Sequence, residues 1–144
     1  MGHSSQFMIA VHATALLAYM RERWPVCSDV IARSVNTNPV VIRRVMCKLA
    51  RAGIVEAASG RNGGFMLARE ADAITLADIA NAVQAEDERE IFGSHPNSPN
   101  ACCPVGAHIT SAVRAPLERA ALALDCALRE TTLSDIEAKL PREA

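Results

Sequence analysis

Two adjacent cysteines, Cys102 and Cys103, stand directly before Pro104, and His108 follows about one helical turn later. Thiol and imidazole groups at this spacing allow three kinds of chemistry: oxidation of a thiolate, metal coordination, and nucleophilic catalysis. Proline is favoured at the first position of a helix, so Cys103 is expected beside the positive end of a helix dipole. That position favours thiolate, which predicts Cys103, with Cys102 beside it, as a redox-sensing pair.

Other uses of this region have weaker support. His95, Cys103 and His108 are candidate metal ligands, but adjacent cysteines rarely chelate one ion well, so we expect no metal and no cofactor. A thiol enzyme built on Cys103 and His108 would also need a substrate pocket and oxyanion donors, for which the sequence offers no pattern, so we expect no enzyme. Alternatively, Cys102 and Cys103 are a pair of buried, unreactive thiols at a helix cap. The sequence does not decide between this structural role and redox sensing.

The other cysteines have weaker functional cases. Cys47 lies on the outer face of a predicted helix, where modification would collide with DNA. We favour the alternative that this thiol has no function and merely fits near the phosphates or the first helix. Cys27 precedes a predicted helix start, and Cys126 is expected to pack. Five cysteines is an odd count without the spacing of a disulfide framework, which predicts reduced thiols.

A second group of residues predicts contact with double-stranded DNA. Asn38 can cap a helix that begins at Pro39, and apolar residues at helical spacing give that helix a buried stripe, while its opposite face is basic. Residues near the start of such a helix reach base edges, and nearby Arg and Lys meet phosphates. The predicted DNA contacts are Ser28, Thr37, Asn38, Val40, Arg43, Arg44, Lys48, Arg61 and Asn62.

The charge distribution favours DNA binding over a winged-helix module for protein docking. Residues 1–69 carry nine basic and three acidic residues, a net charge of +6. Residues 70–144 carry six basic and thirteen acidic residues, a net charge of −7. A basic half whose charges lie on the predicted reading face is the electrostatic footprint expected for phosphate contact.

The elements that must position these residues form a winged helix-turn-helix. A short helix capped by Ser28 is followed by a turn at 35–37 and the long basic helix, which ends before Gly53. Strands are predicted at 54–58 and 65–67, and the turn between them carries Arg61 and Asn62. Two helices and a basic hairpin in this order are typical of DNA readers.

Further helices flank this unit. A first helix is predicted from a cap at Ser5 to about residue 23, and Thr75 with Asp78 has the form of a capping box for a helix to about residue 84. Residues 86–90 are an acidic, solvated run, and 92–101 are a loop. Thr132 repeats the cap pattern and predicts a short last helix.

A long helix is predicted at 104–129, with a kink at Pro116 and a wide apolar face that includes Ile109, Val113, Leu117 and Leu124. A helix of about 25 residues is about 37 Å long, more than a small winged domain can cover. Its surplus apolar face predicts a homodimer, with packing inside one chain as the alternative.

Composition sets the fold class. Half of the 144 residues are hydrophobic and only 3% are aromatic, which favours close-packed helices and a mainly α (α+β) fold. No apolar run approaches the roughly 20 residues that span a bilayer, and no signal peptide is evident. We therefore expect a cytoplasmic protein with no membrane partner.

Several stretches together resemble one family. LARAGIVEAASGRNGGFMLAR, then ITLADIANAV, CCPVGAHI and TTLSDI, resemble the Rrf2 family of bacterial winged helix-turn-helix regulators over nearly the whole chain. The resemblance implies a dimer held by the long helix. It also implies a cysteine region that holds an iron–sulfur cluster in many members, but residues 94–98 contain no cysteine, so only the end of that pattern is present.

The sequence thus predicts a winged domain at 1–85, a linker or sensor loop at 86–103, and a dimerisation helix with a C-terminal helix at 104–144. The expected function is sequence-specific transcriptional regulation, as a repressor responding to thiol oxidation, electrophiles or a small effector. A winged-helix interaction module without DNA binding, or a metal- or iron–sulfur-dependent regulator, is the alternative. Operator, effector and sign of regulation are left open.

Overall fold

The first helix lies at the centre of the winged domain. A computed structural model describes residues 2–84, 92 and 95–142 of the chain, with side chains from residue 5 onward. The helices are α1 (Gly2–Tyr19), α2 (Ser28–Val35), α3 (Pro39–Arg51), α4 (Leu76–Val83), α5 (Pro104–Arg129) and α6 (Leu133–Glu137). The strands are β1 (Val55–Ala58) and β2 (Gly64–Leu67), and short 3-10 helices lie at Arg21–Arg23 and Ala71–Ala73.

Helix α1 packs against α2, α3, α4 and α6. Its buried residues include Ala10, Ala13, Leu17 and Ala18, so a wide part of its surface is buried. Alanine lets helix backbones approach closely, which explains how α1 can pack against four other helices and also against β2. It begins at Gly2, before the predicted cap at Ser5, and it ends at Tyr19, where the Trp24 indole donates to the Leu17 carbonyl oxygen at 2.7 Å.

Helix α3 forms as predicted. Asn38 caps it, with Oδ1 accepting from the Val40 amide at 2.8 Å, and Pro39 is its first residue. The apolar stripe is fully buried, and it comprises Ile42, Val45, Met46 and Leu49. Gly53 takes the left-handed conformation at φ 72°, which lets the Ile54 amide bond back to the Leu49 carbonyl oxygen at 3.0 Å. Truncating Leu49 to alanine in this core would cost about 2–5 kcal/mol.

The start of α2 differs from the prediction. Ser28 does not cap the helix: it is the first helical residue, and Cys27 occupies the cap position without a side-chain hydrogen bond. The Cys27 carbonyl oxygen accepts from Val30 and Ile31 instead. Helix α2 ends at Val35, and Asn36 after it has a left-handed backbone at φ 61° that makes the turn toward α3. The predicted helix-turn-helix order is confirmed, with a different cap.

The two strands form an antiparallel hairpin in which Val55 pairs with Leu67 and Ala58 with Gly64. This hairpin is the predicted wing, and the chain has a mostly helical winged helix-turn-helix fold.

Helix α6 returns to the winged domain, where Leu133 is fully buried in the same core. By contrast, α5 contains no buried residue. None of the helices that the structure describes combines the length and apolarity needed to cross a bilayer. The acidic run at 86–90 and the first part of the predicted linker lie outside the described residues.

Candidate DNA interface

The exposed face of α3 carries the strongest predicted DNA contacts. Arg43 and Arg44 are exposed, and Val40 has 45% of its surface exposed near the start of the helix. Within the described parts of the chain, neither arginine forms an ion pair with a carboxylate. Their positive charge therefore remains available to a phosphate, and Val40 can offer apolar contact to a thymine methyl group.

The turn before α3 is held by its own hydrogen bonds. The Thr37 amide donates to the Ala32 carbonyl oxygen at 3.0 Å, and Thr37 itself is half-buried. Because Asn38 uses Oδ1 to cap α3, only its amide NH₂ is left to donate to DNA. The structure thus places Thr37 and Asn38 in a hydrogen-bonded turn directly before α3.

The wing presents Arg61 and Asn62 at its tip, and both are exposed. Gly60, at φ 103°, begins the turn, and its carbonyl oxygen accepts from the Gly63 amide at 3.1 Å. A glycine adopts this backbone conformation without the steric cost that a side chain would add. The tip therefore carries a cationic and an amide side chain on a tight turn.

A contact that the sequence did not predict fixes the wing to the helix-turn-helix. Val26 and Phe65 form an antiparallel bridge, in which each amide donates to the other residue's carbonyl oxygen, at 2.9 and 2.8 Å. A side chain at Gly64 would collide with the Val26 carbonyl group, so the bridge requires glycine there. The only sequence signal for this approach is the Gly63–Gly64 pair.

Three of the nine predicted contacts lie in less exposed positions, and one of them is Thr37 in the turn before α3. Ser28 is half-buried at the start of α2, where the first backbone N–H groups have no partner within the helix. Lys48 is half-buried, and its ammonium donates to the Gln6 side chain at 2.8 Å. The remaining six residues are exposed, on α3, at its start or at the wing tip. DNA contact at all nine positions stays a prediction.

The cysteine pair lies at the start of α5, in a turn organised by Asn100. The Asn100 side chain accepts from the Cys102 amide at 2.9 Å, and its carbonyl oxygen accepts from the Cys103 amide at 3.2 Å. A side chain at Gly106 would collide with the Asn100 carbonyl oxygen, so this turn lies directly on the first turn of α5.

Cys103 occupies the cap position of α5, as the sequence predicted, and it is exposed. The backbone amide of Gly106, and to a smaller extent that of Val105, lowers the pKa of the Cys103 thiol, against a small opposing effect of burial. The sulfur makes no capping hydrogen bond of ordinary geometry, so the effect comes from amides that point toward it. Because the thiolate is the nucleophilic form, the lowered pKa makes Cys103 more reactive at neutral pH than a cysteine with an ordinary pKa.

All five cysteines are free and exposed. Cys126, which the sequence predicted to pack, is exposed in the single chain, because α5 packs mainly against α4 and leaves most of its surface uncovered. Cys47 is exposed on α3 between Arg44 and the end of the helix, and Cys27 is exposed at the start of α2.

The chain matches the family model described as "Rrf2: Iron-dependent Transcriptional regulator" over residues 3–139. A relative from Bacillus subtilis (strain 168), named "Putative HTH-type transcriptional regulator YwnA", is 36% identical over 92% of this chain and 95% of its own. A solved structure described as "a putative DNA binding protein" is 31% identical, with a TM-score of 0.69 over 91% of this chain and 97% of that one. CymR, "the Global Cysteine Regulator of B. subtilis", shares the fold, with 20% identity and a TM-score of 0.72 over 98% and 99% of the two chains.

The iron dependence in the family description does not fit the residues that the structure describes. An iron–sulfur cluster needs about four ligands, mostly thiolates, around one volume. Cys102 and Cys103 are neighbours on the same turn, and no cluster of three or more His, Cys, Asp or Glu side chains suited to a metal is found in the described residues.

Proposed function

This chain belongs to the Rrf2 family of transcriptional regulators, and we propose that it binds operator DNA as a homodimer, with α3 in the major groove and the wing tip beside it. Its family consists of regulators, so no enzyme activity is assigned. The observation that carries the proposal is a set of exposed arginines that form no ion pair with any described residue, Arg43 and Arg44 on α3 and Arg61 on the wing. They lie on surfaces connected by the Val26–Phe65 bridge.

The rigidity of this arrangement supports specific reading. Helix α3 is capped at its start, closed by Gly53 at its end, and buried along one whole stripe. Groups held in place before binding lose little conformational entropy on complex formation. We expect the residues at positions 37–40 to reach base edges and the arginines that follow them on α3 to contact phosphates.

Dimerisation is proposed through α5. This helix exposes Ile109, Val113, Leu117 and Leu124, each with about 39–48% of its surface accessible, on successive turns of one face. An apolar stripe of this length on an isolated chain is costly to leave in water. A second copy related by two-fold symmetry covers the same stripe on both chains and places two α3 helices on one operator.

We further propose that thiol modification at Cys103 releases DNA. The exposed sulfur and its lowered pKa support this role, and its place at the start of α5 connects it to the proposed dimer helix. Bulk or charge added there would displace the Asn100 turn from α5 and change the separation of the two reading helices.

The experiment that tests DNA binding is a two-step selection and titration. Genomic DNA fragments are recovered on the purified protein, in reductant and after peroxide, and an enriched duplex is then titrated across a salt series. We expect enrichment of fragments with a two-fold symmetric sequence and an affinity that falls as salt rises. Recovery of no fragment above random background, with equal weak binding to all duplexes, would contradict the proposal.

A further inference from the structure

Lys48 belongs to the basic reading helix, yet its ammonium is bound on the protein side of that helix. Its Nζ donates to Oε1 of Gln6 at 2.8 Å and to the carbonyl oxygen of Val83 at 3.3 Å. Gln6 lies in α1, and Val83 is the last residue of α4. One side chain therefore joins the reading helix to the N-terminal part of α1 and to the end of α4.

The chemistry of the Val83 carbonyl group favours this contact. The last four carbonyl groups of a helix lack partners within it, and that end of the helix carries partial negative charge. A lysine ammonium placed there satisfies one acceptor and interacts favourably with the helix dipole. Because Lys48 is half-buried, water screens the interaction less than it would on an open surface.

Sequence pattern alone cannot separate Lys48 from Arg44. The two residues lie one helical turn apart, on the same side of α3, and both extend the basic face. The structure separates them by their partners: Arg44 is exposed and forms no ion pair within the described chain, whereas Lys48 is hydrogen bonded to two other elements.

On the basis of the proposed DNA-binding function, we propose that Lys48 is a positioning residue that orients α3 for operator reading, and that it contacts no phosphate. Loss of its ammonium frees α3 to shift against α1 and α4 while the exposed arginines keep their charge. The reading residues then meet the bases out of register. Affinity for the operator falls, but the number of phosphates neutralised stays the same.

The salt dependence of binding distinguishes these roles. Operator affinity is measured over a salt series for the wild type, Lys48→Met, Lys48→Arg and the matched control Arg44→Met, at a temperature where all four are folded. Each lost phosphate contact reduces the slope of log K against log salt by about 0.9 per protomer. We expect Lys48→Met to lower operator affinity at least fivefold at every salt concentration, with an unchanged slope. Lys48→Arg should retain most of the wild-type affinity. Arg44→Met should reduce the slope.

Two results of this titration would overturn the inference. If Lys48→Met reduces the slope of log K against log salt as much as Arg44→Met does, Lys48 contacts a phosphate in the complex. Unchanged affinity and slope would mean that the contact serves folding alone. If the wild type binds no duplex specifically, the proposed function itself fails, which is a separate outcome seen before any variant is compared.

A second measurement needs no DNA. Urea unfolding midpoints are compared for Lys48→Met, Gln6→Leu and the double variant. If the two side chains act through their hydrogen bond, the double variant unfolds no earlier than Lys48→Met alone. Fully additive shifts in the midpoint would show that the contact does not hold α1 to α3 in solution, and the positioning role would be wrong.

Discussion

Thr75 and Thr132 face each other in an antiparallel bridge, and each begins a helix with the same capping box. The Leu76 amide donates to the Thr131 carbonyl oxygen at 3.0 Å, and the Leu133 amide donates to the Ile74 carbonyl oxygen at 2.7 Å. Helices α4 and α6 thus start side by side, and the end of α5 is tied to the winged domain at this point.

Removing one capping hydroxyl should weaken this junction. Thr75 accepts from the Asp78 amide at 3.1 Å, and Thr132 accepts from the Asp135 amide at 3.1 Å. We expect Thr75→Ala to lower the free energy of unfolding by about 1 kcal/mol. Urea denaturation measures the change, with the exposed Ser59→Ala as control. An equal effect of both substitutions would refute a special role for the cap.

Stability should depend on the charge of Asp135 at low pH. Hydrogen bonds from the Thr132 backbone and side chain lower the pKa of Asp135 below its ordinary 3.8. A carboxyl with a lowered folded-state pKa contributes stability above its unfolded pKa and loses it as pH falls through the folded pKa. The wild type should therefore unfold later than Asp135→Asn at neutral pH, and the difference should shrink below about pH 3.8. A constant difference in urea midpoints from pH 7 to 3 would oppose this.

Arg44 and Arg61 should each be needed for operator affinity. We expect Arg44→Ala to weaken binding by about 1–3 kcal/mol if the guanidinium makes a bidentate base contact. Arg61→Ala should also weaken binding, because it removes the only cation on the wing tip at 60–64. Fluorescence anisotropy with a labelled operator measures both, and Arg142→Ala, in the other half of the chain, is the control. Unchanged affinity for both reading variants would rule out this docking.

Charge on the apolar face of α5 should separate the dimer. Leu117 and Leu124 are 39% and 48% exposed in the single chain, and aspartate at both would bury charges without partners in the dimer. We expect the double variant to sediment as a monomer or to unfold, while Ser111→Asp, on the opposite face of α5, remains dimeric. A wild type that sediments as a monomer at micromolar concentration would disprove the proposed assembly.

Cys103 should be the most reactive thiol. Its pKa is lowered by the Gly106 and Val105 amides, so its thiolate fraction at neutral pH exceeds that of an ordinary cysteine. We expect limiting alkylating reagent to label Cys103 before Cys126, as read by mass spectrometry. Cys103→Ser should keep DNA affinity in reductant and lose the response to peroxide. Equal labelling rates at the two cysteines would remove the basis for sensing at this position.

The sequence by itself determined the features that depend on neighbouring residues. Asn38 with Pro39 begins α3, Gly53 ends it, and Thr75 with Asp78 begins α4, because each signal is a hydrogen bond or a backbone conformation within a few residues. The period of the apolar residues predicted the buried stripe of α3 for the same reason. The bounds of α5 also followed from Pro104 and helical spacing.

Tertiary structure decided the features that depend on distant partners. Lys48 reaches Gln6 and Val83, which are 42 and 35 residues away, and no local pattern distinguishes it from the exposed Arg44. Bridges between distant segments, such as Val26 with Phe65, also come from packing, and so does the exposure of Cys126. A long side chain can turn toward either side of its helix, so the groups that surround it in the fold determine what it binds.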